Sequence, residues 1–397
     1  MTNADLLALQ AGKPPLSQEI LELLTVDNCW LENMKEYCLK QVIARGGCKV
    51  KIIHGAHATG KTHYLQALKL YANREGFFTC YFDLQQMEFR ITDIIQLYKA
   101  IAENLDFAKV RHALLNTMLK HLGYDPQQLE EHKTTLIDLI CEIEDTASFH
   151  AKQSIRKSIN QIVKGIDLSF SFRLFLMRYM EALSEENNDL LSILERWVLG
   201  AKLEAHEKRQ CQLFERLNKQ NARIWLFSLI EVIKISGYQG VVLIFDQFEA
   251  IFPSPDAPVK YTPAKRNDVY EMLRQLIDDL DFLKNFLLLI AGTDEIISNE
   301  AYGLQSYYAL WMRIRQDYVQ KRTLNPYSDL VDADMIMQDL ASSGALDDLA
   351  ERIKANGIQW EAEPLSSKDD NPIRFHDFVS VLRRTNKSLS PELRNDR

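Results

Sequence analysis

The sequence predicts an α/β fold: a parallel sheet with a phosphate-binding loop, a large helical insertion and a small helical C-terminal lid. Three observations lead there. Gly55-Ala56-His57-Ala58-Thr59-Gly60-Lys61-Thr62 reads G-x-x-x-x-G-K-S/T, and it lies between an apolar segment, Val50 to Ile53, and a helix-compatible one, His63 to Tyr71. Val241 to Phe245 is a continuous apolar run that ends at Asp246. Phe286 to Ile290 is another, ending in Ala291-Gly292-Thr293-Asp294. Such runs are strands buried on both faces of a parallel sheet.

Residues before about Cys48 form a helical preface broken at Pro14-Pro15, with Ile20 to Leu24 and Trp30 to Ala44 packing beside the nucleotide. The first strand then delivers the loop. Gly55 and Gly60 let the backbone curl so that its N–H groups face phosphates. Ala58 and Thr59 belong to that cradle, and the start of the following helix adds partial positive charge. Lys61 neutralises the β- and γ-phosphates, and Thr62 offers its hydroxyl to magnesium. Phe77 to Leu84 is a second strand with Asp83 near its end, and Ile91 to Leu105 is helical by periodicity.

The stretch from Leu105 to Val241 is almost free of Pro and Gly, so it folds as helices. Within it Ile155, Ile159, Ile162 and Ile166 share a face, with Lys152, Arg156, Lys157 and Lys164 mostly elsewhere. Those cations form either a solvated surface or a phosphate-contacting one.

Asp246 stands at the carboxyl end of its strand, placed to hold magnesium together with Thr62. Gln247 follows it where a glutamate would polarise the attacking water; an amide cannot accept the proton. Glu249 is then the candidate base, or else a solvated loop carboxylate. Thr293 is the candidate sensor of the γ-phosphate, with Asp294 second; the alternative is a plain strand-end turn. Arg313, and after it Arg315, are candidates to reach a neighbouring subunit's nucleotide, or are surface arginines. Residues 366–371 read as a polar loop, Phe375 to Arg384 as a last helix, and the tail from Asn386 as frayed.

At 397 residues the chain exceeds what one core organises. The expected division is an N-terminal helical segment 1–47, ATPase core 48–105 and 221–325, insertion 106–220, and lid 326–397. The net charge of −8 means that any nucleic-acid contact must come from a local patch. The six cysteines are scattered without a C-x-x-C pair, which reads as reduced thiols and not as a zinc site or disulfide frame. No apolar run is long enough to span a bilayer and Met1-Thr2-Asn3-Ala4-Asp5 lacks a signal pattern, so a cytoplasmic protein is expected.

A family resemblance runs along most of the chain. Ala8-Leu9-Gln10-Ala11-Gly12-Lys13-Pro14-Pro15, Gly60-Lys61-Thr62-His63-Tyr64-Leu65, Gly237-Tyr238-Gln239-Gly240, Ala291-Gly292-Thr293 and Tyr307-Tyr308-Ala309-Leu310 resemble segments of the BrxD-like ATP-binding proteins of BREX-type phage-defence systems. The resemblance implies an AAA+-related, ORC-like P-loop fold that binds ATP and Mg2+, with His63 in the nucleotide loop. It places Arg374, in Asn371-Pro372-Ile373-Arg374-Phe375, as a second sensor. It also implies work beside DNA with a partner helicase and, in smaller systems, a TerB-like protein; a homo-oligomer is expected because an arginine finger needs a neighbouring subunit. The Asp246-Gln247-Phe248-Glu249 stretch is similar to STAND switch ATPases as well. That leaves a nucleotide-dependent switch, or a DNA-loading adaptor, as alternatives to an ATP-hydrolysing subunit.

Overall fold

The computed structural model of the chain describes residues 14–57, 59–128, 135–253, 260–315 and 327–342, with Asp5, Ala8 and Asn325. The chain divides into two compact units, Met1–Arg90 with Gly240–Arg397, and Ile91–Gln239.

The first unit is built on five parallel strands: β1 (Cys48–His54), β2 (Phe78–Asp83), β3 (Val241–Asp246), β4 (Phe286–Ala291) and β5 (Leu330–Asp332). Their order across the sheet is β2-β3-β4-β1-β5. β3 and β4 are buried at every position, the reason for their unbroken apolar composition. Pairing sets Ile53 beside Ala291 and Phe245 beside Ile290. The residues that follow β1, β3 and β4 therefore emerge along one edge of the sheet.

β5 was not foreseen; it lies in the segment assigned to the lid. Its three residues are too few to show a periodicity. What docks it is Lys51, whose side chain is almost wholly buried in β1. The Lys51 ammonium donates to the carbonyls of Tyr327 (3.2 Å) and Ser328 (2.7 Å), since a buried charge needs acceptors. Ile52 N–H adds a bond to Asp329 O at 2.7 Å.

One face of the sheet is covered by α1 (Gln18–Leu24), α2 (Cys29–Glu32), the π-helical turns Asn33–Ile43 and α3 (Lys61–Arg74). Leu24, Trp30, Met34, Leu65 and Leu68 pack there against Val242, Ile244, Leu287 and Leu289. Full burial of each such side chain is worth about 1.5–3 kcal/mol, so the N-terminal helices are a structural layer of the sheet.

The second unit is helical throughout its described residues: α4 (Ile94–Ala102), α5 (Phe107–Leu122), α6 (Leu136–Glu144), α7 (Ser148–Lys164), α8 (Phe170–Ser184), α9 (Asn188–Val198), α10 (Ala205–Cys211) and α11 (Ala222–Ile235). Asp93, Asp106, Thr135, Ser169 and Asn187 accept from first-turn amides, which fixes where five of these helices begin. Its core is aromatic. Trp197 lies 4.4 Å from Trp225 and 5.2 Å from Phe172, centroid to centroid. α4 and α11 pack against each other within this unit. The Tyr98 hydroxyl, on α4, adds a bond to Val198 O at 2.6 Å.

Candidate functional site

The loop after β1 is shaped by its glycines. A Cβ on Gly55 would stand 2.9 Å from the Cβ of Ala333, so only glycine lets the loop approach the β5 turn. Gly60 is left-handed, φ 83°, and opens α3 at Lys61. Thr59 is buried and its hydroxyl donates to Ala56 O at 3.0 Å. The Lys61 ammonium lies across the loop, donating to Gly55 O (2.9 Å) and Ala56 O (2.7 Å). Burial lowers the Lys61 pKa, while the charges of Glu249, Asp246, Asp294 and Asp334 oppose that shift. Four carboxylates that are remote in sequence thus act on one ammonium through space.

Asp246, only 1% exposed, is held on both oxygens. The amide of Gln247 donates to Oδ1 at 2.8 Å and the Tyr81 hydroxyl donates to Oδ2. Burial raises the Asp246 pKa against these bonds and against a further one from the Thr62 hydroxyl. Threonine and carboxylate, the two expected metal ligands, therefore lie within hydrogen-bond reach of each other. They are hard oxygen donors, and with phosphate oxygens they suit Mg2+. Among the described residues no cluster of three or more His, Cys, Asp or Glu side chains offers a metal site of its own.

Glu249 lies in a single 3-10 turn, Phe248–Ile251. Its Oε2 accepts from the amide of Thr293 at 3.1 Å. A Cβ on Gly292 would come within 2.7 Å of that oxygen, so the glycine admits the carboxylate to the end of β4. Burial raises the Glu249 pKa, and Lys61 and His57 pull it down. Gln247 is left-handed, φ 54°, and its side-chain amide faces Asp83 at 3.5 Å. Asp294 meets His54 Nδ1 at 2.8 Å.

Residues 8–355 match the model of the BREX system ATP-binding proteins BrxC/D. The chain belongs to that family. It is an ATP-binding protein of BREX, a phage-defence system. Neither a curated protein nor a solved structure gives a significant match. No described helix is long and apolar enough to cross a membrane.

The other candidate residues of this BREX protein make contacts of their own. His63, on α3, is fully buried, with Nε2 3.0 Å from the Thr25 hydroxyl. Burial takes its pKa down to about 4, so the ring is neutral near pH 7. Its visible task is to join α3 to the N-terminal layer. Arg313, in α14 (Tyr308–Ile314), binds Asp278 at the end of α12 (Pro263–Asp278). Ala58 and Arg374 lie outside the described residues, as do the expected loop 366–371 and last helix. In the predicted basic face of α7, Lys152 pairs with Glu185 (2.9 Å) and Arg156 with Glu181 (3.5 Å), both on or next to α8. Those two cations are already matched by carboxylates.

Three residues beside the site carry no motif signal. They are Tyr81, His54 and Asp334; the last accepts from Ala56 N–H at 3.4 Å. Tyr81 and His54 could have been suspected only from their positions near strand ends.

Proposed function

We propose that this BREX protein binds ATP with Mg2+ at the edge formed by β1, β3 and β4 and hydrolyses it slowly. It acts as the energy-supplying subunit beside DNA and a partner helicase, in a homo-oligomer. The observation that carries this reading is the meeting of Thr62 with Asp246 beside Lys61, with Glu249 held by the Thr293 amide. Lys61 and the loop amides from Gly55 to Thr62 hold the phosphates. Thr62 and Asp246 would hold Mg2+, which neutralises phosphate charge when bound. Glu249 takes the proton of the attacking water; its raised pKa brings it nearer the operating pH. Gln247 orients but cannot deprotonate, which keeps basal turnover slow. Thr293 keeps its hydroxyl for the γ-phosphate while its amide fixes Glu249.

The strand order supports an AAA+-like, ORC-like arrangement, because β4 sets Thr293 between the loop strand and the Asp246 strand. The test of the whole reading is ATP turnover by the purified chain, alone and with single- or double-stranded DNA. A slow basal rate that rises with DNA is expected. Nucleotide retained through purification, with no turnover under any condition, would favour a STAND-like switch instead.

Arg313 is the proposed finger toward a neighbouring copy, released from Asp278 when copies meet. Head-to-tail contacts generate rings or filaments, so association should follow ATP. Arg313→Ala is expected to keep ATP binding and lose turnover. Mixing it with Lys61→Ala should restore part of the rate; a fully active monomer would remove the finger role.

A further inference from the structure

In the second unit Phe170 and Phe214 are 82% and 68% exposed, unlike the buried aromatic core beneath them. They flank a groove of about 560 Å³ that Leu174, Arg209 and Gln212 also line. Both rings are held on firm supports. Phe170 opens α8, whose start is capped by the Ser169 hydroxyl and tied by Ser169 N–H to Ser228 Oγ at 3.0 Å. The segment with Phe214 is anchored at Glu215. Trp197 Nε1 donates to its carbonyl and Asn221 Nδ2 to its carboxylate, each at 2.8 Å. Backbone anchored in this way costs little to order on binding, and exposed aromatic surface marks interaction sites.

One cation and one carboxylate line the groove, Arg209 and Glu215, and the Glu215 carboxylate is engaged by Asn221. Arg173 lies one helical turn beyond Phe170, Arg209 is in the groove, and Arg216 and Lys219 follow Phe214; all four are exposed. Among the described residues none of them has a carboxylate within ion-pair distance, in contrast to Lys152 and Arg156 on α7. This local cationic surface sits on a chain of net charge −8.

We infer that the Phe170–Phe214 groove binds single-stranded nucleic acid. Unpaired bases stack on the two rings, and the phosphates between them meet Arg209, Arg173 and Arg216. A stacking platform with Arg209 in its groove and further cations close to each ring in sequence matches the alternation of base and phosphate along a single strand. A duplex keeps its base faces covered and would engage only the cations. This names a site for the nucleic-acid partner of the proposed function but does not use the ATP site, so it is read by binding without nucleotide.

The test is fluorescence anisotropy with labelled oligothymidylate, oligouridylate and a DNA duplex of equal length, at two salt concentrations. The single strands are expected to bind more tightly than the duplex, with affinity falling as salt rises. Phe170→Ala/Phe214→Ala should weaken single-strand binding at least about tenfold, and Arg209→Glu should do likewise, while Lys152→Glu does not. Circular dichroism and ATP affinity, unchanged in the variants, exclude misfolding. Equal single-strand binding by parent and Phe variant overturns the inference. So does capture of polyglutamate through the groove with no binding of either oligonucleotide, which would make the surface a site for an acidic protein partner. A difference between the DNA and RNA strands identifies the preferred source.

Discussion

Lys61→Ala is expected to reduce ATP affinity on the order of 100-fold or more and to leave the fold intact. Loss of one partner of a desolvated charge pair costs about 2–5 kcal/mol, and each 1.4 kcal/mol is about tenfold. No substitute charge is supplied by the loop, whose other residues from Gly55 to Thr62 are Gly, Ala, His and Thr. The charges of Glu249, Asp246, Asp294 and Asp334 act on the ammonium, so its removal would also leave their negative charge unopposed near the phosphates. The variant therefore loses an attraction and leaves a repulsion unopposed. Calorimetry decides the matter: equal affinity in parent and variant would end the phosphate-loop reading.

Glu249→Gln should leave ATP affinity near the parent value and lower turnover by about 10²–10⁴, the usual contribution of a positioned base. Gln247→Glu should hydrolyse at the parent rate or faster. The pH dependence follows from the sign of the shift. Burial raises the Glu249 pKa above its ordinary 4.5, so the carboxylate that accepts a proton is lost as pH falls through that raised value. The parent's rate should show an acidic limb there, and Glu249→Gln should lack it. A Glu249→Gln protein that keeps the parent rate removes Glu249 as the base.

Much of this edge of the sheet was legible because its parts are local. Gly60-Lys61-Thr62 and Asp246 announce themselves within a few residues, and the flanking apolar runs say which strands present them. The meeting of Thr62 with Asp246 was inferable, since the loop strand and the Asp246 strand belong to one parallel sheet. The surroundings were not. Asp334 reaches Ala56 only because β5 pairs with β1, and β5 is held by the buried Lys51, a residue that reads as a solvated charge in sequence. Tyr81 reaches Asp246 through the pairing of β2 with β3. The partners of two cations on the basic face of α7 were hidden for the converse reason. Those glutamates, Glu181 and Glu185, belong to another stretch of the chain, and no helical wheel of α7 contains them. His63, placed in the nucleotide loop by the family resemblance, has its ring beside the Thr25 hydroxyl, a contact that no local motif announces.

The packing of α4 against α11 bears on how the chain can close its sheet at all. β2 and β3 are neighbours in the sheet, yet the whole of Ile91–Gln239 runs between them. A disordered loop of that length would charge the pairing a large closure entropy, growing with the logarithm of its length. Because the first and last helices of the inserted unit lie against each other, its folding brings its two ends together in advance. The effective loop between the strands then shrinks to the few residues outside the helices. The insertion is in this sense a self-closing module: variation in its interior, whether a longer helix or another pair, need not disturb the register of Phe78 on Val241 as long as that terminal clasp is kept.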